Sequence, residues 1–228
     1  MDDEARFAEL ISGAGHELRS PLTSIKGFSS TLVKRWDRFT DEQRLQFIET
    51  IHSDSERMSR IVSEVLDLAR VEVDQLELQL GPVDLCVATK IVLERLEDRD
   101  GIERVEVDIP DGLSAWTDRE RLERSLENLV ENAIKFSDEG PVRIGAIERD
   151  DTVLLTITNS GEGIAPERLP GLFSGPGPRG QKAPTGTGLG LLLTQRILRA
   201  QGASITVVSR LGEGTTFTLE LPTRGEVG

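Results

Sequence analysis

The chain has 228 residues, 29% charged and 37% hydrophobic, the proportions of a globular protein with room for two modest domains. Asp and Glu number 40 against 27 Lys and Arg, a net charge of −13 that excludes a nucleic-acid surface built on clustered cations. The single cysteine, Cys86, excludes an internal disulfide and fits a reducing cytosol. No apolar run approaches the ~20 residues of a membrane span, and the acidic opening MDDEARFAEL has no export-signal core.

Up to about residue 73 there is almost no strand signal. Phe7, Ile11, Ala14, Leu18, Pro21, Ile25, Phe28 and Leu32 recur with alternating spacings of four and three, a heptad seam. The pattern resumes after KRWDRFTDE at Phe47, Ile51, Met58, Ile61, Val65 and Leu68. Thr40 is the expected N-cap of this second helix, with Gln43 as capping-box partner. Two such helices on a short link form an antiparallel hairpin. One hairpin cannot bury both seams and two can, so residues 1–75 are expected to form a four-helix bundle in a homodimer. In this heptad phase His16 falls on the outer face, with Ser20 one turn further on. Pro21 lacks an N–H and predicts a bend just beyond His16. Such a break costs ~3 kcal/mol in a helix interior, and a purely structural bundle gains nothing from it.

From residue 76 the texture changes to an α/β pattern, expected to fill residues 76–228. LELQL alternates as a strand, residues 84–98 read as a helix capped by Asp84, and VEVDI alternates again. Asp118 caps a further helix through Phe136. VRIGAI and TVLLTIT predict a hairpin around Asp150 and Asp151. A last helix runs from about Gly188 to Gln201 with Gly202 behind it, and SITVVS and TTFTLEL supply two more strands. Strands and helices in this order predict a mixed sheet with helices on one face. The Gly- and Pro-rich GLFSGPGPRGQKAPTGTG reads as a loop.

The helix after Asp118 holds ENLVENAIKFS. Asn128, Asn132 and Lys135 stand at i, i+4 and i+7 and share a face, beside a stripe of Leu122, Leu126, Leu129 and Ala133. An amide oxygen is a hard neutral ligand suited to Mg²⁺, and an ammonium is a point charge for phosphate. In TNSGEGI, Gly161 and Gly163 directly follow a strand. In TGTGLGL, Gly186, Gly188, Leu189 and Gly190 open a helix, whose free N–H groups are suited to anions. GEGTTF, from Gly212 to Phe217, forms a tight turn into the last strand. One glycine cluster would say little, since turns need glycine; the order of all three behind a two-asparagine helix says much more.

These stretches resemble a known family. HELRSPLTSIKGF is similar to the phosphoacceptor box of bacterial two-component sensor histidine kinases, NLVENAIKF to their asparagine box, and the glycine stretches to their nucleotide boxes. The resemblance implies a dimerisation and phosphotransfer hairpin, then an ATP-binding α/β sandwich of the type shared with gyrase and heat-shock chaperone ATPases. It implies that His16 is phosphorylated and that Glu17 polarises its ring or takes its proton. It makes Asn132 the Mg²⁺ ligand and Asn128 and Lys135 nucleotide contacts. Gly161, Gly163 and the turn at Gly186, Gly188, Leu189 and Gly190 would line the nucleotide, and Phe173 would pack a lid. Asn159 stands where the family carries an aspartate that accepts from the adenine amino group. The amide can still accept without charge assistance, and restoring the aspartate is expected to tighten ATP binding about tenfold or less. Ser20 stands where the family has Thr or Asn.

The implied function is ATP- and Mg²⁺-dependent autophosphorylation on His16, followed by transfer to an aspartate of a response-regulator receiver domain. The setting implied is cytoplasmic, either as a free protein or as the cytoplasmic part of a membrane-anchored sensor, with no nucleic-acid partner and no membrane contact from this stretch. A gyrase-type ATP-hydrolysing clamp ranks lower, because it needs a glutamate where Asn128 stands and an amide cannot act as a base. A non-catalytic scaffold of the same fold is the remaining alternative, motivated by Asn159 and the unusual lid sequence.

Overall fold

A computed structural model describes residues 3–72, 76–175 and 188–225, with side chains described in 11–71, 76–175 and 188–225. They fall into two compact units: a helical hairpin, with which Gly175 and residues 188–190 group, and an α/β unit.

The hairpin consists of α1 (Asp3–Arg35) and α2 (Asp41–Glu72), joined through a 3-10 turn at Trp36–Arg38. The capping box forms as the sequence predicts. Thr40 N donates to Gln43 Oε1 at 3.1 Å, and Gln43 N donates to Thr40 Oγ1 at 3.3 Å. Arg44 fastens the turn: Nη1 reaches Asp41 Oδ1 at 2.6 Å, Nη2 reaches the Trp36 carbonyl at 3.0 Å, and the guanidinium lies 4.6 Å from the Trp36 ring centroid. Ala14, Pro21 and Leu32 of α1 and Ile61 and Leu68 of α2 are buried. Near the turn Phe28 stacks on Phe47 at 5.2 Å, and Phe39 meets Phe47 edge-on at 5.0 Å. Helix α1 continues unbroken through Pro21. The proline ring is itself buried, so packing offsets part of the lost hydrogen bond. Ile11, Leu22, Val33, Leu45, Ile48, Val62 and Leu66 remain exposed on the hairpin.

The second unit runs β1 (Leu80–Asp84), α3 (Leu85–Arg95), β2 (Val105–Asp108), β3 (Ser114–Asp118), α4 (Arg119–Lys135), β4 (Val142–Arg149), β5 (Thr152–Asn159), α5 (Leu189–Ala200), β6 (Ser204–Arg210) and β7 (Gly214–Pro222). Five strands form one mixed sheet in the order β2-β4-β5-β7-β6. Only β2 against β4 is parallel; the other neighbours are antiparallel. Alternate residues point inward: Val142, Ile144 and Ala146 on β4, Val153, Leu155 and Ile157 on β5, Phe217, Leu219 and Leu221 on β7. They join one core with Leu122, Leu126, Leu129 and Ala133 of α4, the stripe foreseen beside the asparagines. The tight turn between β4 and β5 places Asp150 at φ 55, a conformation Asp tolerates better than most residues.

Two expectations change. LELQL is not a strand: residues 76–79 precede β1, which starts at Leu80. Its partner is β3, a strand the sequence reading left unassigned, and the pairing runs from Leu80↔Asp118 to Asp84↔Ser114. The ladder stops at Asp118 because the chain turns there into α4. The Asp118 carboxylate accepts from Arg121 N at 3.1 Å as the helix cap and from Gln79 N at 2.7 Å, so it closes both elements. The end of α5 is drawn to the same point. Gln201 Oε1 accepts from Thr117 Oγ1 and from Asp118 N, both at 2.7 Å, and Gln201 Nε2 donates to Ile197 O at 3.1 Å.

Candidate active site

Helix α4 presents Asn128 and Asn132 half-buried and Lys135 exposed, on the face that their spacing predicts. Asn128 Nδ2 donates to Thr194 Oγ1 at 3.0 Å, which ties the asparagine face to α5. Asn132 Nδ2 points at Asn128 Oδ1 at 3.4 Å. That leaves Asn132 Oδ1 with no hydrogen bond among the described residues, in the state a metal ligand needs. Lys135 Nζ lies 5.1 Å from the Phe136 ring centroid. No cluster of three His, Cys, Asp or Glu side chains with metal-ligand spacing occurs among the described residues. This donor set fits Mg²⁺ carried in on phosphate oxygens, which takes few protein ligands, and does not fit a protein-caged ion.

The C-terminal end of α4 meets the end of β5. Asn159 is buried, and its Nδ2 donates to the Phe136 carbonyl at 3.0 Å and approaches the Ser160 carbonyl at 3.4 Å. Carbonyl oxygens only accept, so the amide nitrogen must face Phe136, and Oδ1 is the atom left to accept from a ligand. Gly161 and Gly163 follow. A Cβ on Gly161 would strike the Phe136 carbonyl oxygen. Gly163, at φ 72, sits so close to the Arg210 carbonyl that no side chain fits. Gly188, Leu189 and Gly190 open α5, with Gly188 at φ 65 and the Leu189 side chain buried, so any contact with an anion there is through backbone. Gly186 lies outside the described residues. So does most of the Gly- and Pro-rich stretch, apart from Gly188 and its first residues, where Phe173 packs on the core.

On α1, His16 is exposed, as its heptad position predicts, and Ser20 is exposed one turn on. Glu17 reaches across the hairpin, where its Oε2 accepts from Arg57 Nη2 at 2.9 Å, and only about a third of its side chain (32%) is exposed. Arg19 lies beside the imidazole, with its Nη1 3.5 Å from Nδ1. His52 on α2 is exposed, with Nε2 3.6 Å from Glu56.

The sequence reading missed Arg57, Thr194 and the Phe136 carbonyl. Thr194 was open to discovery, being the lone hydroxyl inside the apolar run LGLLLTQRIL. Arg57 and the Phe136 carbonyl give no local signal, since they act through contacts distant in sequence.

Both units have known relatives. Residues 8–73 match the His Kinase A (phospho-acceptor) domain. Residues 117–225 match the histidine kinase-, DNA gyrase B-, and HSP90-like ATPase family. The histidine protein kinase DivJ of Caulobacter vibrioides is 32% identical over 222 residues, covering 94% of this chain and 37% of DivJ. The sensor histidine kinase YkoH of Bacillus subtilis is 34% identical over 219 residues, covering 93% of this chain and 47% of YkoH. The chain thus spans less than half the length of these relatives. Among solved structures, the histidine kinase AdeS of Acinetobacter baumannii superposes with a TM-score of 0.75 at 27% identity, covering 92% of this chain and 98% of that one. With both domains present in order and the helical hairpin and mixed sheet in place, the chain belongs to the sensor histidine kinases, as a catalytic core of that family.

Proposed function

We propose that the chain is an ATP-dependent protein-histidine kinase that phosphorylates His16 and passes the phosphoryl group to an aspartate of a response-regulator receiver domain. Residues 1–75 serve as the dimerisation and phosphotransfer domain and 76–228 as the ATP-binding domain. The observation that carries this reading is an exposed imidazole on a phospho-acceptor hairpin, in the same chain as a half-buried Asn128–Asn132 face in an ATPase fold.

The residues have separable tasks. Asn159 Oδ1 accepts from the adenine amino group while Phe136 holds the amide in orientation. Gly161, Gly163, Gly186, Gly188, Leu189 and Gly190 let backbone approach the nucleotide, and the start of α5 offers N–H groups to phosphate. Asn128 braces the α4 face against Thr194, and Lys135 adds positive charge. Asn132 Oδ1 would hold Mg²⁺, which supplies charge neutralisation on the phosphate oxygens. In the transfer, an imidazole nitrogen of His16 forms a bond to the γ-phosphorus as the bond to the β–γ bridging oxygen breaks. ADP leaves with that electron pair, and the ring gives up its N–H proton. Glu17, its Oε2 held by Arg57, would take this proton or stabilise the ring through Oε1.

The exposed apolar residues of the hairpin, Ile11, Leu22, Val62 and Leu66 among them, suit burial against a second copy of the chain, which makes the working unit a homodimer. No helix among the described residues is long and apolar enough to cross a membrane; we assign the chain to the cytoplasmic side.

Incubation with γ-labelled ATP and Mg²⁺ tests the reading. The expected product is a phosphoramidate, labile in acid and stable in base. ATP binding without label would favour the scaffold, and label that survives acid would place the phosphate on another residue type.

A further inference from the structure

The loop 161–164 has no regular structure of its own, yet it follows the buried Asn159 and carries both close-packed glycines. What fixes it is the turn between β6 and β7. Gly212 N donates to Glu162 O at 2.8 Å, and Gly163 rests against the Arg210 carbonyl. One side chain joins them. Ser209, on β6 opposite Thr215, accepts from Ile164 N at 2.8 Å, donates to Gly214 O at 2.7 Å and lies 2.8 Å from Thr215 Oγ1. A serine hydroxyl has one proton and two lone pairs. Its proton goes to Gly214 O, so Thr215 must donate to it, and the Ile164 N–H fills the remaining lone pair. The group is saturated by one bond from the loop and two with the start of β7, to Gly214 O and from Thr215 Oγ1.

We infer that Ser209 is the positioning residue that sets the place of loop 161–164 and thereby governs nucleotide affinity. The inference rests on the reading of this unit as an ATP site. Ser209 lies outside the glycine stretches and need not touch the nucleotide. Removing its oxygen takes away the partner of the Ile164 N–H and the bond that the Gly214 carbonyl accepts, which unfastens the loop from the start of β7. The loop can then satisfy Ile164 only by shifting toward water, which moves Gly161 and Gly163 away from the site beside Asn159. The asparagine face on α4 is braced separately by Thr194, so placement of the phosphates suffers less than grip on the base end.

The test uses the full chain, with ATP titrated both by calorimetry and in autophosphorylation. Ser209→Ala is expected to raise the ATP Kd and KM about tenfold, while the rate at saturating ATP falls much less. Ser209→Thr, which keeps the hydroxyl, should restore affinity, and amide exchange at Ile164 should quicken in the Ala variant alone. A folded Ser209→Ala chain with wild-type Kd would overturn the inference, as would a loss confined to the saturating rate. Should the Ala chain fail to fold, Ser209→Cys fills the space with a weak partner and should show the same rise in KM; an unchanged KM there overturns the inference. A wild-type chain that binds no ATP would overturn the underlying reading, a result distinct from all of these.

Discussion

At the residue scale, the most informative position is Asn159. The sequence presents it as an aspartate site that has lost its charge, so restoring the aspartate looks like a gain. The hydrogen bond from Nδ2 to the Phe136 carbonyl adds a cost hidden from the sequence. A carboxylate there would face a carbonyl oxygen without a donor while buried. Asn159→Asp is therefore expected to destabilise the nucleotide-free chain by about 1–3 kcal/mol at neutral pH, read from its melting curve. Burial and the facing oxygen raise the folded-state pKa of such an aspartate above its unfolded value. The variant's stability relative to wild type is thus best below about pH 4 and is lost as pH rises through the raised value. A variant that melts like wild type at neutral pH would show that Phe136 does not hold the amide. For His16 the expectation is sharper: His16→Gln removes all phosphoryl label and leaves calorimetric ATP binding intact, because the residue is exposed and far in sequence from the ATP-binding unit. Retained label would assign the chemistry elsewhere. Candidate residues were legible wherever spacing alone reveals a shared face, as with Asn128 and Asn132 or the outward His16. They were illegible where a residue acts on a distant one, as Arg57 does on Glu17 and Ser209 does on Ile164.

At the element scale, local chemistry wrote most boundaries into the sequence. Thr40 and Gln43 close the start of α2, and Asp84 and Asp118 cap α3 and α4. Thr40→Ala should lower hairpin stability by about 1 kcal/mol, measured by denaturant unfolding, since it leaves the Gln43 N–H without its cap. In the same turn, Glu42 titrates below the ordinary carboxylate range, chiefly through a backbone N–H bond and then the Thr40 hydroxyl. A depressed folded-state pKa stabilises above the unfolded value and fades as pH falls through the folded one. Glu42→Gln should therefore flatten the acid side of the hairpin's stability profile by slightly lowering the neutral plateau, with stability at low pH nearly unchanged. The elements that escaped the sequence reading depend on pairing more than on pattern. β3 is five residues that end in a cap, and its strand character comes from lying against β1. LELQL has the alternation of a strand, but its first four residues have no facing ladder, because β3 ends at Asp118 opposite Leu80.

At the scale of the whole molecule, the apolar residues that one hairpin leaves exposed predict its assembly. Light scattering should return twice the 25.1 kDa of one chain at micromolar concentration. The variant to break the dimer is Leu66→Glu. Leu66 is exposed, whereas Ile61 is fully buried within its own hairpin, and a charge there would unfold the chain itself. A Leu66→Glu chain that keeps the double mass would place the interface on another face. The division into a hairpin and a mixed-sheet unit was legible because the hydrophobic period changes from heptad to alternation near residue 75, while the order of strands in the sheet was not, since no local pattern encodes it. That order has a consequence for how the molecule comes into being. β7 lies between β5 and β6, with Asn159 paired to Thr215 and Ser209 also paired to Thr215. As the chain emerges from the ribosome, the hairpin has its partners within the chain early, because α1 and α2 are neighbours in sequence. β5 emerges with one edge open and stays so until β7 follows. A nascent chain therefore passes through an interval in which the phosphoacceptor helices can be complete while the nucleotide site, whose glycine loop leans on the turn into β7, does not yet exist.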